Sequence, residues 1–423
     1  MAVRGVDVTL YEMKPGKFSA AHTNPGFAEL VCSNSLGANR VETASGLLKE
    51  EMRRLGSLIV RCADMSAVPA GGALAVDREL FSARVTSEIT GCGRIKIISG
   101  EVEDIPEGDC VIVATGPLTS GAMADSISRA LGGDEFIEFF DAVAPIVAAD
   151  SVDMSKAYYK SRYDRGTPDY INCPMDREEY TAFWERLKTA QEAPVHGFED
   201  KLVYEGCMPV EVLARRGEDA LRYGPMKPIG LRDPKTEKTP YAVVQLRRDD
   251  VSGAMFNMVG FQTHLTFPEQ RAVFSMIPGL ERAEFLRYGV MHRNTFINSP
   301  KLLDRHYMVR KRPGLFFAGQ ITGVEGYAES ASSGLMAGLC ASFYLAGESM
   351  PDLPGTTAIG ALPLYISNPG TSNFQPMGIN YGIIAPLEKR ISKKDKKTAV
   401  AERSLGVLDL LAGGLREPED IVR

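Results

Sequence analysis

The period of the apolar positions changes several times along the chain, and each change marks an element. Val6-Asp7-Val8-Thr9-Leu10-Tyr11-Glu12 reads as a short buried strand that ends on a carboxylate. Ala2-Val3-Arg4-Gly5 ahead of it reads as the tail of a helix with a glycine stop. Residues 20–40 are rich in turn formers and low in periodicity. From Glu42 to Asp64 the spacing of Leu47, Leu48, Met52, Leu55, Leu58 and Ile59 predicts an amphipathic helix. A second helix opens near Asp77 after a glycine turn, with Asp77 and Glu79 at its positive start. Arg94–Ile105 predicts a strand and a turn. Val111-Ile112-Val113 is a buried strand running into Ala114-Thr115-Gly116-Pro117. Residues 140–300 change character: aromatic and charged residues crowd together, and short strands alternate with turns. Leu315-Phe316-Phe317 then restores the buried strand. Gly319, Gly323 and Gly326 follow it, and a helix of small residues begins near Tyr327. Gly334 and Gly338 in that helix are spaced for close packing.

This order predicts an α/β fold with a Rossmann-like dinucleotide-binding domain, built from residues 1–140 and 300–423. Residues 141–299 are predicted to be an inserted α+β domain facing the substrate. Glu12 stands where the second strand of such a unit offers a carboxylate to a ribose. The small residues Ala114, Thr115 and Gly116 let a backbone approach a planar or phosphorylated ligand closely. A helix start near Tyr327 supplies free N–H groups and a partial positive charge, which suits a pyrophosphate or an electron-rich ring edge. The alternative for both turns is a tightly packed strand–turn–helix without a ligand. The G-x-G-x-x-G fingerprint expected about 20 residues before Glu12 would fall ahead of Met1. The first βα half of the unit is therefore expected to be missing from the sequence in hand.

Composition adds limits. With 423 residues, 44% hydrophobic and 24% charged, the chain is an ordinary globular protein of two or three domains. It has no apolar run of about 20 residues and no secretory h-region, so a cytoplasmic protein without membrane contact is expected. The seven cysteines, at 32, 62, 92, 110, 173, 207 and 340, are scattered and form no C-x-x-C pair. That argues against a disulfide framework and against a metal site. A net charge of −6 means that any nucleic acid is met through a local basic patch. Two runs qualify: Arg305, Arg310, Lys311 and Arg312, and Lys389, Arg390, Lys393, Lys394, Lys396 and Lys397. A solvated charged face is the plain alternative for each.

Several stretches together resemble the TrmFO family: FAELVCSNSLG (27–37), VPAGGALAVDRELFS (68–82), ATGPLTS (114–120), YINCPM (170–175), VVQLRRDD (243–250) and FAGQITGVEGYAESASSGLMAG (317–338). The resemblance covers almost the whole chain. It implies an FAD-binding fold and C5 methylation of the T-loop uridine of tRNA, giving ribothymidine. Methylenetetrahydrofolate would provide the carbon, reduced FAD the electrons, and NAD(P)H would restore the flavin. The related GidA/MnmG family, which acts on the wobble uridine, carries a longer C-terminal helical region and is one alternative. A non-catalytic remnant that binds tRNA or folate is another. A thiolate that adds to uracil C6 makes C5 nucleophilic, so the site needs a reactive cysteine. The family resemblance points to Cys207 as the attacking thiol and to Cys32 as support for proton transfer or the flavin adduct. Cys173 is a third choice, and the remaining cysteines read as core. His264 and His292 are candidates for stacking on folate or flavin, with a structural histidine as the alternative, and Arg293, Lys227 and Arg247 are candidates for folate glutamate or RNA phosphate, with an ion pair as the alternative. Glu325 and Glu329 flank the last glycine turn, where a carboxylate can also cap the helix.

Overall fold

The computed structural model describes residues 1–19, 21–133, 136–142, 144–193, 208–289, 291–371, 374–389, 391–392 and 394–415. Its strands are β1 Val8–Glu12, β2 Ser35–Ala38, β3 Ala67–Val68, β4 Ala73–Val76, β5 Ile95–Ser99, β6 Val111–Val113, β7 Phe136–Ala142, β8 Ile146–Ala148, β9 Tyr158–Tyr159, β10 Tyr170–Met175, β11 Ala242–Arg248, β12 Met255–Met258, β13 Phe285–Arg287, β14 Met291–Ile297 and β15 Leu315–Phe317. The helices are α1 Ala44–Arg54, α2 Leu58–Met65, α3 Arg78–Thr90, α4 Gly121–Leu131, α5 Arg177–Lys188, α6 Val210–Arg215, α7 Ala220–Tyr223, α8 Phe267–Phe274, α9 Ser299–Leu302, α10 Tyr327–Leu345, α11 Ala358–Ile366 and α12 Lys396–Leu415.

Two parallel pairs, β1 with β5 and β6 with β15, give the nucleotide-fold character. Both β1 and β6 end at loops that face the same cavity. Between them in sequence lies a small antiparallel sheet of order β2-β4-β3. A six-stranded antiparallel sheet, β13-β8-β12-β11-β10-β9, is built from the middle of the chain. β7 and β14 pair antiparallel from Met291 opposite Ala142 to Ile297 opposite Phe136, and they carry the chain into and out of that middle part. The hydrophobic interior follows the same division. One core joins Leu47, Leu48, Val113, Phe316, Phe317, Ala337 and Leu408, drawn from both ends of the chain. A second joins Ile171, Phe183, Val244, Phe256, Phe261 and Phe274, drawn from the middle alone.

The long helix expected over 42–64 is two helices. Gly56 takes φ +73°, a left-handed conformation that stops α1, and Ser57 then caps α2 by accepting from the Val60 N–H. The apolar spacing continues across the break although α1 buries Leu47, Leu48 and Met52 in one cluster and α2 buries Cys62 and Ala63 chiefly in another. Asp77 caps α3 as expected, accepting from the Leu80 N–H. Ala2–Arg4 forms one 3₁₀ turn that stops at Gly5. The close packing expected at Gly334 and Gly338 is not what the helix shows. A Cβ at Gly334 would meet nothing within 4 Å, and one at Gly338 would only touch the Met1 side chain. α10 packs through Met336, Ala337, Cys340 and Ala341 instead.

Candidate active site

A cavity of about 560 Å³ opens where the ends of β1 and β6, the 28–37 loop and the start of α10 converge. Glu12, Cys32, Ala114, Thr115, Gly116, Gly326 and Tyr327 all line it. These residues are far apart in sequence, and the two parallel strand pairs bring them together.

The turn that carries Cys32 is held from several sides. Asn34 is fully buried; its amide donates to the Val76 and Arg248 carbonyls, at 3.0 and 2.9 Å. Arg247 of β11 donates to Asn34 Oδ1 at 3.0 Å and to Ser33 Oγ at 2.6 Å. Arg78, at the start of α3, donates to the Leu30 and Val31 carbonyls and is paired with Asp249 at 2.9 Å. Three links therefore cross from the middle sheet to this turn, and they give VCSNSLG and VVQLRRDD a common purpose. Arg247 is used here for positioning, as a buried tether to the cysteine turn. Burial lowers its guanidinium from the ordinary value.

Tyr327 closes the arrangement. Its hydroxyl accepts the Cys32 N–H at 2.9 Å and lies 3.1 Å from Cys32 Sγ. Burial, with the Cys32 side chain as the next cause, raises Tyr327 well above its usual value of 10. The phenol keeps its proton at neutral pH and, with one lone pair taken by the N–H, can donate to the sulfur.

The helix start at Gly326 has no side-chain cap. Gly326 takes φ +116°, and a Cβ there would run into the Glu329 carboxylate. Glu329 accepts the Ile379 N–H at 3.1 Å, and burial raises its carboxyl. Beneath the wall at Leu36 and Gly37 lies Lys49, fully buried. Its ammonium donates to the Leu36 carbonyl and to the Ser45 carbonyl and hydroxyl, at 2.9, 2.9 and 2.8 Å. Burial pushes it down to about 8, against the pull of Glu329. Glu325 and Glu329 both line the cavity.

Other expected residues lie elsewhere. Gly319 and Gly323 sit in the 3₁₀ turn behind the wall: the Gly319 N–H donates to Ser333 Oγ at 2.6 Å, and the Phe374 ring occupies the space a Cβ on Gly323 would need. His264 is 2% exposed and does not line the cavity. Its Nδ1 lies 2.6 Å from Glu211 and its Nε2 2.7 Å from Glu192, both in the middle part of the chain. Lys227 also belongs to that part, and its carbonyl accepts from Arg162 at 3.0 Å. His292 and Arg293 are placed only by backbone register, opposite Asp141 and Phe140. Cys207 lies outside the described residues. Cys173 and Cys340 are fully buried and both pushed up to about 12 by burial, as inert core thiols are.

Lys14, His22, Glu29 and Asn294 also line the cavity, and sequence reasoning missed them. Lys14 is buried and donates to the Asn24 and Gly26 carbonyls at 3.1 and 2.5 Å. Its only sequence signal is its place two residues after Glu12. His22 accepts from or donates to Ser19 Oγ at 2.6 Å, and burial lowers its imidazole. In the first basic run, Arg305 and Arg310 spend donors on the Leu353 and Ser367 carbonyls at 3.2 and 2.8 Å, so those two serve the fold.

The lining fits a flavin dinucleotide. A carboxylate ends one strand, small residues form the turn after another, and an uncapped long helix starts at a glycine. The volume is that of a site for a small organic ligand, which ordinarily falls at roughly 300–1,000 Å³.

Comparison with known proteins agrees with this geometry. Residues 1–349 match the family described as Glucose inhibited division protein A. A methylenetetrahydrofolate–tRNA-(uracil-5-)-methyltransferase TrmFO from Acetivibrio thermocellus is 56% identical over 409 residues, covering 96% of this chain and 94% of that one. Its counterpart from Pelotomaculum thermopropionicum is 58% identical over 409 residues, covering 96% and 93%. Among solved structures, GidA of Aquifex aeolicus in its form II crystal superposes with a TM-score of 0.69 at 15% identity. That match covers 98% of this chain and 70% of GidA, and it shows the shared α/β fold with its inserted domain.

Proposed function

The chain belongs to the TrmFO family, allied to glucose inhibited division protein A, and from that premise we propose that it is a folate-dependent tRNA (uracil-5-)-methyltransferase. The observation that carries the reading is the meeting of Cys32, Tyr327 and the two strand-end turns in one cavity. FAD is the cofactor this cavity would hold, with Glu12 toward the ribose, Ala114-Thr115-Gly116 against the ring system and the Gly326 helix start toward the negative edge. When bound and reduced, FAD supplies the electrons that complete the methyl group. Methylenetetrahydrofolate brings the carbon, and NAD(P)H re-reduces the flavin.

The chain's own residues have separable tasks in this proposal. Cys207 adds to uracil C6, which places electron density on C5 for attack on the methylene carbon. Cys32 accepts the C5 proton, and the Tyr327 phenol supports its thiolate by hydrogen bonding. Arg247, Asn34 and Arg78 fix the Cys32 turn so that the sulfur keeps its place. The target is the T-loop uridine, approached through surface cations that include Lys311, Arg312, Lys394, Lys396 and Lys397. The two cores support taking residues 141–299 as a substrate-facing unit inserted between 1–140 and 300–423. No helix among the described residues is long and apolar enough to cross a membrane.

The test uses a tRNA transcript labelled with tritium at uridine C5, with FAD, NADPH and methylenetetrahydrofolate. Tritium release and a single new 5-methyluridine in the T-loop are expected. Modification at the wobble uridine, or no release with flavin bound, would overturn the assignment.

A further inference from the structure

We propose that Phe267 and Tyr288, with Arg271 beside them, form a stacking ledge for an unpaired base of the RNA substrate. The inference rests on the function proposed above and adds a binding site to it.

Phe267 opens α8 and is 51% exposed. Its ring stacks on Tyr288 at 4.9 Å with an interplanar angle of 16°. Tyr288 stacks in turn on Phe285 at 5.5 Å and 13°. Phe285 leans on the buried Phe274 at 6.3 Å. Three near-parallel rings, tilted against the core ring of Phe274, thus run outward to the half-exposed Phe267. The column is rigidly seated. Buried Gln270 donates to the Gly289 and Leu265 carbonyls at 2.8 and 2.7 Å and accepts the Gly289 N–H at 2.8 Å. The residue after Tyr288 therefore cannot shift without breaking two buried hydrogen bonds.

A groove of about 550 Å³ lies over this ledge, lined by Phe267, Pro268, Arg271, Ala272, Ser275 and Tyr288. Its one charged lining residue, Arg271, is cationic and exposed. A flat aromatic face beside a guanidinium is the chemistry that holds an unpaired nucleobase and its phosphate.

The ledge follows directly in the chain from a residue that is influenced by the cysteine turn. Arg287 directly precedes Tyr288. The register between β13 and β8 shifts between Phe285 and Arg287, and such a bulge re-aims a side chain. The charges around Arg287 are Arg78, Asp249, Tyr327 and Cys32, the groups that hold the cysteine turn. Its Nε and Nη2 are buried without a hydrogen-bond partner among the described residues. Arg287 thus belongs to the electrostatic surroundings of the cysteine turn, and the next ring faces the groove. An enzyme that attacks C6 of a uracil must take that base out of its stack, which leaves a neighbouring base without a partner. A solvent-facing ledge of stacked rings beside a guanidinium has the chemistry to receive it.

The experiment measures binding of an unmodified tRNA transcript to the full chain, with Phe267→Ala and Phe267→Trp beside the parent. Flavin content and the rate of flavin reduction by NADPH are recorded in the same preparations. Phe267→Ala is expected to weaken transcript binding about tenfold, Phe267→Trp to restore it, and both to leave the flavin measurements unchanged. A transcript bound by Phe267→Ala within twofold of the parent, while the parent methylates it, overturns the ledge alone. A parent chain that binds no transcript overturns the proposed function together with the ledge. Loss of self-association in sedimentation, with RNA binding intact, assigns the face to a second copy of the chain and also overturns the proposal.

Discussion

Glu51 provides a quantitative test of how α1 is held. Its carboxylate is fully buried and accepts the Ala358 and Ile359 N–H groups at 2.9 and 2.7 Å, at the very start of α11. Ser404 of α12 donates to it as well, so one side chain joins three helices. Burial outweighs these favourable contacts and raises the carboxyl from 4.5 to about 7. The folded chain therefore holds this proton more tightly than the unfolded chain does. The resulting stability is complete below pH 4.5 and is lost as pH rises through about 7. At about 1.4 kcal/mol per pH unit, the loss across that window is ~3 kcal/mol. Glu51→Gln keeps an acceptor oxygen for α11 and removes the ionisation. Urea unfolding of both proteins at pH 5 and pH 8 gives the comparison, and subtracting the variant cancels every other titrating group. The parent should lose ~2.5 kcal/mol more than Glu51→Gln between the two pH values, since part of this contribution is already lost at pH 5. Equal losses in the two proteins would refute the argument that this carboxyl is buried at a cost.

Three further outcomes are expected. Gly326→Ala forces a Cβ into Glu329 at φ +116° and should reduce FAD retention at least tenfold, read by flavin absorbance after desalting; unchanged retention removes the helix start from the cofactor site. Arg247→Met strands the buried Asn34 Oδ1 at a cost of roughly 1–3 kcal/mol and removes one hydrogen bond to Ser33 Oγ. It should lower the melting temperature and cut methylation more than tenfold with flavin still bound, and methylation at parental rate would show that the Cys32 turn does not depend on this tether. Tyr327→Phe deletes the hydroxyl beside Cys32 Sγ and should slow Cys32 alkylation by iodoacetamide at pH 8, followed by peptide mass spectrometry; an equal or faster rate contradicts the proposed thiolate support.

Local pattern was enough to place most of the ligand-facing backbone. β1 ending at Glu12, β6 ending before Ala114 and α10 opening at Tyr327 each follow from a run of apolar residues and a small or acidic residue at its end. The single helix over 42–64 failed because apolar spacing records which side is buried and is blind to a left-handed residue such as Gly56. Gly319 and Gly323 were grouped with Gly326 because all three follow one strand. Only the folded turn separates the glycine at the cavity from Gly319, whose N–H bonds Ser333, and Gly323, which makes room for Phe374. His264 lacked any local signal of its two carboxylate neighbours, which come from residues 192 and 211. Lys14 reaches the cavity through the folded chain alone, and Asn294 lies beside the His292 and Arg293 candidates without a local signal of its own.

The middle sheet does more than cover the cavity. Arg247 and the Arg248 carbonyl reach Ser33 and Asn34 from β11, Asp249 fixes Arg78 onto the Leu30 and Val31 carbonyls, and Arg287 of β13 sits among the same groups. These residues lie more than 200 positions from Cys32 in some cases, as the Asn34–Arg247 pair shows with a separation of 213. A buried arginine that loses its partners is costly, so each tether makes the cysteine turn and the sheet edge fold as one unit. Movement of the middle sheet on meeting RNA would therefore be felt directly at Cys32 Sγ. That coupling accounts for the anchoring of the cysteine turn mainly by guanidinium groups: they supply several directional donors from one side chain and remain charged when largely buried. A turn held only by apolar packing would keep its depth in the core and lose the angular control of the sulfur.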